Sequence, residues 1–225
     1  MSGRVGGLLM AAVVFGALCW ALTGLPSPPA GAGGEALAAL DRSGVTNPVT
    51  AVLLNFRAYD TLLELAVLLL AAVAVWSLRR MPAAQFESPC NPVLAALLRF
   101  LLPLLLITGG FLLWVGAFDP GGAFQGGALL GGALVLLLLG GQVRRRVLGR
   151  TALLRAGLWL GLLVFCGVGL AMVIGGRAFL EYPPARAGLL ILLIESAALV
   201  SIGLTLAALF FGGRPETGGD TEGAP

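Results

Sequence analysis

Three charged side chains stand at the start of an apolar run in which a membrane helix is expected. Arg57, Asp60 and Glu64 occur in the stretch "NFRAYDTLLELAVLLLAAVAVW", three and four residues apart. On a helix this spacing places them on one face, where Arg57 and Asp60 can form an ion pair. A charged side chain at the bilayer centre costs about 2.5–3.5 kcal/mol or more, so an ionisable residue inside a span is a candidate functional site. The pattern predicts proton or cation handling, with Glu64 as the main candidate.

A capping role for Glu64 is the alternative interpretation. The sequence "TLLE" from Thr61 matches a capping box, in which the Glu64 side chain would accept a hydrogen bond from the Thr61 amide. That role requires a helix that begins at Thr61. Asn47 and Pro48 look like an earlier helix start, with Asn47 as N-cap. A helix continuous from Pro48 would leave Glu64 no amide to cap, and both possibilities stay open at this point.

A second acid lies in the last apolar run. Glu195 occurs in "AGLLILLIESAALVSIGL", about two turns into the predicted span and with no basic residue nearby in sequence. It must face other helices or water, and Ser196 and Ser201 could help to solvate it. Such a group suits proton exchange, and the alternative is a neutral hydrogen-bonding role in the structure.

The glycine-rich stretch "FDPGGAFQGGALLGG" is the third candidate region. It contains two GxxxG pairs, Gly122 with Gly126 and Gly127 with Gly131. Small residues at this spacing allow two helices to approach closely, which makes helix packing the simpler interpretation. The alternative is a polar path lined by Gln125 and by exposed backbone.

Composition excludes several other chemistries. The chain has no histidine, and its three cysteines form no CxxC pair, so we expect no metal and no redox cofactor on this chain. No nucleophile with its base and no phosphate-binding loop is present, which argues against an enzyme acting alone. The net charge of +3 comes from arginines in short loops, so no nucleic-acid partner is expected.

The elements that must position these residues are membrane helices. Apolar residues make up 58% of the 225 and charged residues only 11%, against roughly 25% in soluble proteins. We therefore predict an all-α, polytopic membrane protein. Six apolar runs approach or reach the length that crosses a bilayer, at about 5–25, 61–78, 93–118, 123–141, 152–174 and 189–211. The first run could instead be a cleaved signal peptide.

Arginine placement predicts the orientation of these spans. Arg79, Arg80 and the cluster between Arg144 and Arg155 fall in the second and fourth loops. The positive-inside rule then makes the even loops and both termini cytoplasmic. Anionic lipid is an alternative partner for the arginine cluster. Residues 81–92 look like a linker, and the Gly-rich tail 213–225 is predicted to be disordered.

The stretch "NPVTAVLLNFRAYDTLLE" resembles a signature of the Mrp-type cation/proton antiporters, in the C-terminal part of their large A subunit. It is similar also to the equivalent two-helix subunit of energy-converting membrane-bound hydrogenases. The matching positions are Asn47, Val49, Thr50, Ala51, Val52, Leu53, Arg57, Asp60, Thr61, Leu62 and Glu64. Residues 1–80 would therefore form a module of this type.

Residues 93–212 resemble the four-helix B-type subunit of the same antiporters. The stretches "RFLLPLLLITGGFLLW" and "PGGAFQGGALLGGALVLLLL" match its first two spans, and the Glu195 helix matches its last. The chain would then be a fusion of two elements that are normally adjacent.

This resemblance implies a membrane subunit of a multisubunit, complex I-like assembly in a bacterial or archaeal cytoplasmic membrane. Such an assembly couples proton movement to sodium transport or to electron transfer, with any redox centres on other chains. The implied partners are other subunits, lipid, protons and, in an antiporter, Na+. Glu64, Asp60, Arg57 and Glu195 are then the expected coupling residues, and a purely structural subunit is the alternative.

The sequence departs from the family pattern at several positions. Ala58 and Leu63 replace two glycines of the first signature, and Ala123 replaces a third glycine in the second. The B-type motif usually has histidines before its glycine-rich turn, where this chain has Asp119. Any role of those histidines therefore does not transfer to this chain.

Overall fold

The computed structural model describes residues 2–23, 32–78, 80–81, 92–141, 151–212 and 214–215. The chain divides into two compact units, Met1–Ala38 and Ala39–Pro225. The first unit contains helix α1 (Ser2–Thr23) and the short helix α2 (Ala32–Ala38). The predicted linker lies outside the described residues except at its two ends, and so does most of the basic loop and of the tail.

The second unit is a bundle of helices. In chain order they are α3 (Leu40–Ser43), α4 (Pro48–Ala51), a π-helix (Val52–Phe56), α5 (Ala58–Leu78), α6 (Pro92–Val115), α7 (Ala123–Leu139), α8 (Thr151–Ile174) and α9 (Pro184–Phe211). The two-residue strands β1 (Arg80–Met81) and β2 (Arg214–Pro215) pair in parallel beyond the ends of α5 and α9.

The structure confirms an α-helical membrane architecture, to which the described residues add only the two-residue strand pair. Within the described residues, four helices are long and apolar enough to cross a bilayer: Ala58–Leu78, Pro92–Val115, Ala152–Ile174 and Pro184–Phe210. The other two predicted spans coincide with α1 and α7, which contribute the shorter apolar stretches Met10–Ala21 and Ala123–Leu139. The orientation of the termini stays a prediction.

Two helices begin earlier than the apolar runs indicate. Helix α5 begins at Ala58 instead of Thr61, and α9 begins at Pro184 instead of Leu189. Proline has its φ angle fixed in the helical range and lacks only an amide that a first turn leaves unpaired, so Pro184 is a suitable first residue. The hydropathy of the sequence marks where the apolar surface begins, whereas each of these two helices begins about one turn earlier.

The chain does not form one continuous helix from Pro48 to α5. The π-helix Val52–Phe56 is followed by Arg57, whose φ of −123° and ψ of 33° are not helical, and α5 starts at the next residue. The hydroxyl of Thr61 donates a 2.7 Å hydrogen bond to the carbonyl of Leu53, which ties α5 back to this π-helix. Thr61 is therefore an interior residue of α5.

Helix α9 is the central helix of the second unit. It packs mainly against α7 and α8 and also contacts α5, while α6 packs against α7. It is the most buried of the four candidate spans. The core around it includes Phe165 of α8 together with Ile194 and Ile202 of α9. Any polar side chain on the inner face of α9 is therefore enclosed by the neighbouring helices.

Candidate functional site

Glu64 and Glu195 line the same cavity, although 131 positions separate them in the sequence. This central cavity has a volume of about 340 Å³. Helices α4, α5, α7, α8 and α9 contribute its walls, and its polar lining residues are Asn47, Thr50, Thr61, Glu64, Gln125 and Glu195. A space of this size, with several polar partners, has room for several water molecules.

Glu195 is held at the N-terminus of helix α7. It is the twelfth residue of the 28-residue helix α9 and only 6% exposed. One of its carboxylate oxygens, Oε1, accepts a 3.2 Å hydrogen bond from the backbone amide of Ala123, the first residue of α7. The amides at a helix N-terminus carry partial positive charge, which favours an anion at that point. The N-terminus of α7 therefore compensates the charge of the Glu195 carboxylate, which has no basic residue nearby in the sequence.

Gly122 makes the close approach of α7 to Glu195 possible. Its φ of 115° and ψ of −170° lie in a region that is essentially restricted to glycine. A Cβ at this position would lie 2.7 Å from Oε1 of Glu195 and 3.8 Å from Oε1 of Gln125. Two side chains that line the cavity, Glu195 and Gln125, therefore both lie close to Gly122.

Glu64 has a different environment. It lies in the second turn of α5, and its side chain is exposed on this chain. Among the described residues it makes no hydrogen bond with the Thr61 amide and no ion pair. The capping interpretation fails for a physical reason, because α5 begins at Ala58 and Thr61 is not its N-cap.

Arg57 and Asp60 form an ion pair beside Glu64. Both side chains are well exposed, at 70% for Arg57 and 44% for Asp60. Arg57 lies in the break before α5, so the three charges are adjacent without sharing one continuous helix. Exposed pairs contribute little to stability, typically about 0–1 kcal/mol, so this pair is better suited to setting local charge than to holding the fold.

The glycine-rich stretch both packs against neighbouring helices and lines the central cavity. Gly126 lies against the backbone of Gly109 in α6, and Gly127 and Gly131 lie against α9. A Cβ at any of these three positions would come closer than an ordinary van der Waals contact to one of these helices. The helix-packing geometry thus applies to these three, whereas Gly122 and Gln125 line the central cavity.

Two further spaces adjoin the central cavity. An open groove of about 780 Å³, the outer groove, is lined by Asp60, Glu64 and apolar residues of α5, α7 and α9. A second cavity of about 360 Å³, the rear cavity, is lined by Glu195, Thr46, Thr50 and residues from the ends of α6 and α9. Glu64 therefore borders the outer groove and the central cavity, and Glu195 borders the central and rear cavities.

Sequence reasoning missed the polar residues that complete this lining. In the sequence, Asn47, Thr50 and Thr61 stand out only as positions of the signature, with Asn47 also a helix N-cap and Thr61 the start of a possible capping box. The grouping of Asn, Thr and Thr beside an apolar helix was an available signal. Within the described residues, no group of three or more His, Cys, Asp or Glu side chains could hold a metal ion. The arrangement suits proton exchange between carboxylates through water, or transient binding of a monovalent cation.

The fold and the site together define a class, a multi-pass helical membrane protein with one carboxylate, that of Glu195, buried inside its bundle. Residues 93–211 match the family described as a domain related to the MnhB subunit of Na+/H+ antiporter. The chain belongs to this family, an antiporter-type membrane subunit. Residues 7–93 match a second family, MbhE, which is the E subunit of MBH. The resemblance to a fusion of an Mrp-type B subunit with a two-helix element is thereby confirmed.

Two solved structures contain similar chains. One is the Mrp complex from Dietzia sp. DQ12-45-1b, where the likeness covers 99% of this chain at 24% identity with a TM-score of 0.62. This chain spans only 27% of that one. The other is the membrane-bound sulfane sulfur reductase, an archaeal respiratory membrane complex, with a TM-score of 0.63 and 24% identity over 94% of this chain and 98% of that one. No curated protein matches the sequence.

Proposed function

We propose that this chain is a membrane subunit of a multisubunit Mrp-like complex that couples proton movement to cation transport or to a redox partner. The observation that carries the proposal is the central cavity, which Glu64 and Glu195 both line. Two acids on separate helices that line one polar space can pass a proton from one to the other through water. The chain's membership of an antiporter-type family supports this role.

The proposed route begins in the outer groove and ends in the rear cavity. Glu64 takes up a proton or cation in the groove and exchanges it through water in the central cavity with Glu195. The Arg57–Asp60 pair sets the charge near Glu64, and Gln125 contributes to the lining of the route. In this account the chain is not itself an enzyme, and any redox centre belongs to another subunit.

The partners and location follow from the same proposal. Other subunits of the complex cover the exposed apolar faces, and the transported species are protons and, where the complex is an antiporter, Na+. The host membrane is a bacterial or archaeal cytoplasmic membrane. Within the chain we propose an antiporter A-type module at 1–80 and a B-type module at 93–212, joined by the segment 81–92.

A structural role is the second candidate. It is favoured by the glycine contacts of α7 and by the hydrogen bond that Glu195 accepts from Ala123, both of which hold helices together. In that case the chain would only assemble its partner subunits.

Single substitutions in the assembled complex separate these two functions. Glu64→Gln keeps the shape of the side chain and removes its proton-binding carboxylate. We expect proton or Na+ flux into vesicles to fall by about tenfold or more at unchanged complex content, since a relay without a proton carrier cannot pass the proton on. Unchanged flux with normal assembly would contradict the coupling role, and loss of assembly without a separate loss of flux would favour the structural one.

A further inference from the structure

Three side chains just before and within helix α4 donate hydrogen bonds to the loop 116–122 between α6 and α7. The Asn47 amide nitrogen donates to the carbonyls of Gly116 and Asp119, at 2.9 Å each. The Thr50 hydroxyl donates to Gly116 at 2.6 Å, and the Thr46 hydroxyl donates to Ala117 at 3.1 Å. We call these four hydrogen bonds the clamp.

The clamp joins two regions that are distant in sequence. Its donors belong to the segment matched by the MbhE family, and its acceptors belong to the segment matched by the MnhB-related family. Asn47 and Thr50 are 5% and 7% exposed, so their bonds are shielded from water. A buried carbonyl left without a donor costs about 1–3 kcal/mol, which gives the loop a definite position.

The clamped loop leads directly to the Glu195 site. After Asp119 the chain reaches Gly122, whose amide donates a 2.8 Å bond to the Leu112 carbonyl of α6. The next amide, that of Ala123, donates to the Glu195 carboxylate. The position of this amide therefore depends on the loop, and the loop is held by the clamp.

We infer that Asn47 and Thr50 are positioning residues, which hold the N-terminus of α7 against Glu195 and so link the signature segment to the second acid of the route. This inference rests on the proposed function and assigns the four hydrogen bonds of the clamp to one task. Thr50 is also placed between the central and rear cavities, because it lines both of them beside Glu195.

A pair of isosteric variants tests the clamp directly. Thr50→Val removes a buried hydroxyl that donates to the loop, whereas Thr61→Val removes a buried hydroxyl that donates to Leu53 in the neighbouring π-helix. We expect amide hydrogen exchange of residues 116–123 to accelerate about tenfold in Thr50→Val, the factor for loss of about 1.4 kcal/mol. In Thr61→Val the exchange of this segment should stay as it is in the unmodified chain.

A second pair tests the consequence for flux. Asn47→Asp keeps an acceptor for the Val49 amide and therefore the helix cap, but it replaces the donor to Gly116 and Asp119 with a carboxylate. Asn55→Asp is the matched control, because Asn55 donates to Ser43 within its own region. We expect flux per assembled complex to fall about tenfold in Asn47→Asp and less than about twofold in Asn55→Asp.

Combination with Glu195→Gln identifies a positioning role. If the clamp acts through Glu195, Asn47→Asp causes no further loss of flux in the Glu195→Gln background. Multiplying effects, or equal exchange rates in the two threonine variants, would overturn the inference. If Thr50→Val or Asn47→Asp fails to assemble, Thr46→Val is used instead, because it removes an exposed hydrogen bond of the clamp. Its effect is measured by the same amide exchange of residues 116–123. If Glu195→Gln alone leaves flux intact, the proposed function fails while the exchange result still decides the clamp.

Discussion

The two carboxylates of the central cavity are held in opposite ways. Glu64 is exposed on this chain, lies in the second turn of its helix and is accompanied by the exposed Arg57–Asp60 pair. Glu195 is buried near the middle of α9 and accepts a hydrogen bond from the first amide of α7. One acid is accessible from a groove, and the other is fixed between two cavities.

This difference matches two tasks that the proposed transfer route requires. An accessible group exchanges with an external donor, and charged neighbours in a polar environment adjust its local charge with little effect on stability. A group inside the bundle needs fixed compensation, here from a helix N-terminus, because hydrocarbon supplies none. Disturbing the fixed site should therefore affect both structure and flux, whereas disturbing the accessible site should affect flux more than structure.

The largest effect is expected at the glycine beside the fixed acid. Gly122→Ala places a Cβ 2.7 Å from Glu195 Oε1, which is too close for an ordinary contact. It also puts an alanine on a backbone with a φ of 115°, so both the contact and the backbone conformation must change. We expect the free energy of unfolding in detergent to fall by about 2–4 kcal/mol. The same measurement on Gly132→Ala is the control, because a Cβ at Gly132 meets nothing within 4 Å.

Equal stability of the two alanine variants would contradict the description of the fixed site. It would mean that the N-terminus of α7 can move away from Glu195 without cost. A stable Gly122→Ala complex with reduced flux would instead sharpen the comparison, by separating the position of the acid from the stability of the bundle.

Much of this arrangement follows from the sequence, but the cavity does not. Apolar run lengths predict the helices, and the rarity of acids inside such runs singles out Glu64 and Glu195. Neither pattern specifies that the two acids line one cavity, because that depends on how α5, α7 and α9 pack. The hydrogen bond between Asn47 and Gly116 spans 69 positions, and no local rule predicts such a contact.

The backbone near the first acid also lies beyond local patterns. The stretch "TLLE" matched a capping box, yet the π-helix and the break at Arg57 start α5 before Thr61. A capping box shows which side chains could accept hydrogen bonds from the free amides of a helix's first turn. It does not determine the residue at which the helix begins. The same limit applies to α9, where the apolar run begins at Leu189 and the helix itself at Pro184.

The smallest effect is expected at the exposed ion pair. Asp60→Asn removes the partner of Arg57, and exposed pairs contribute at most about 1 kcal/mol to stability. We expect the unfolding free energy to change by less than about 1 kcal/mol and flux to fall by no more than about fivefold, measured in the same vesicles as Glu64→Gln. A loss as large as that of Glu64→Gln would show that Asp60 itself is part of the route.

The central claim is that Glu64 and Glu195 act in one route through the cavity they share, and a double-mutant cycle of flux tests it most directly. The complex is assembled with Glu64→Gln, with Glu195→Gln and with both, and flux is normalised to complex content. The account predicts that the double variant is no slower than the slower single variant, because one interrupted step already stops a serial route. Losses that multiply in the double variant would show that the two acids act independently and would contradict the account.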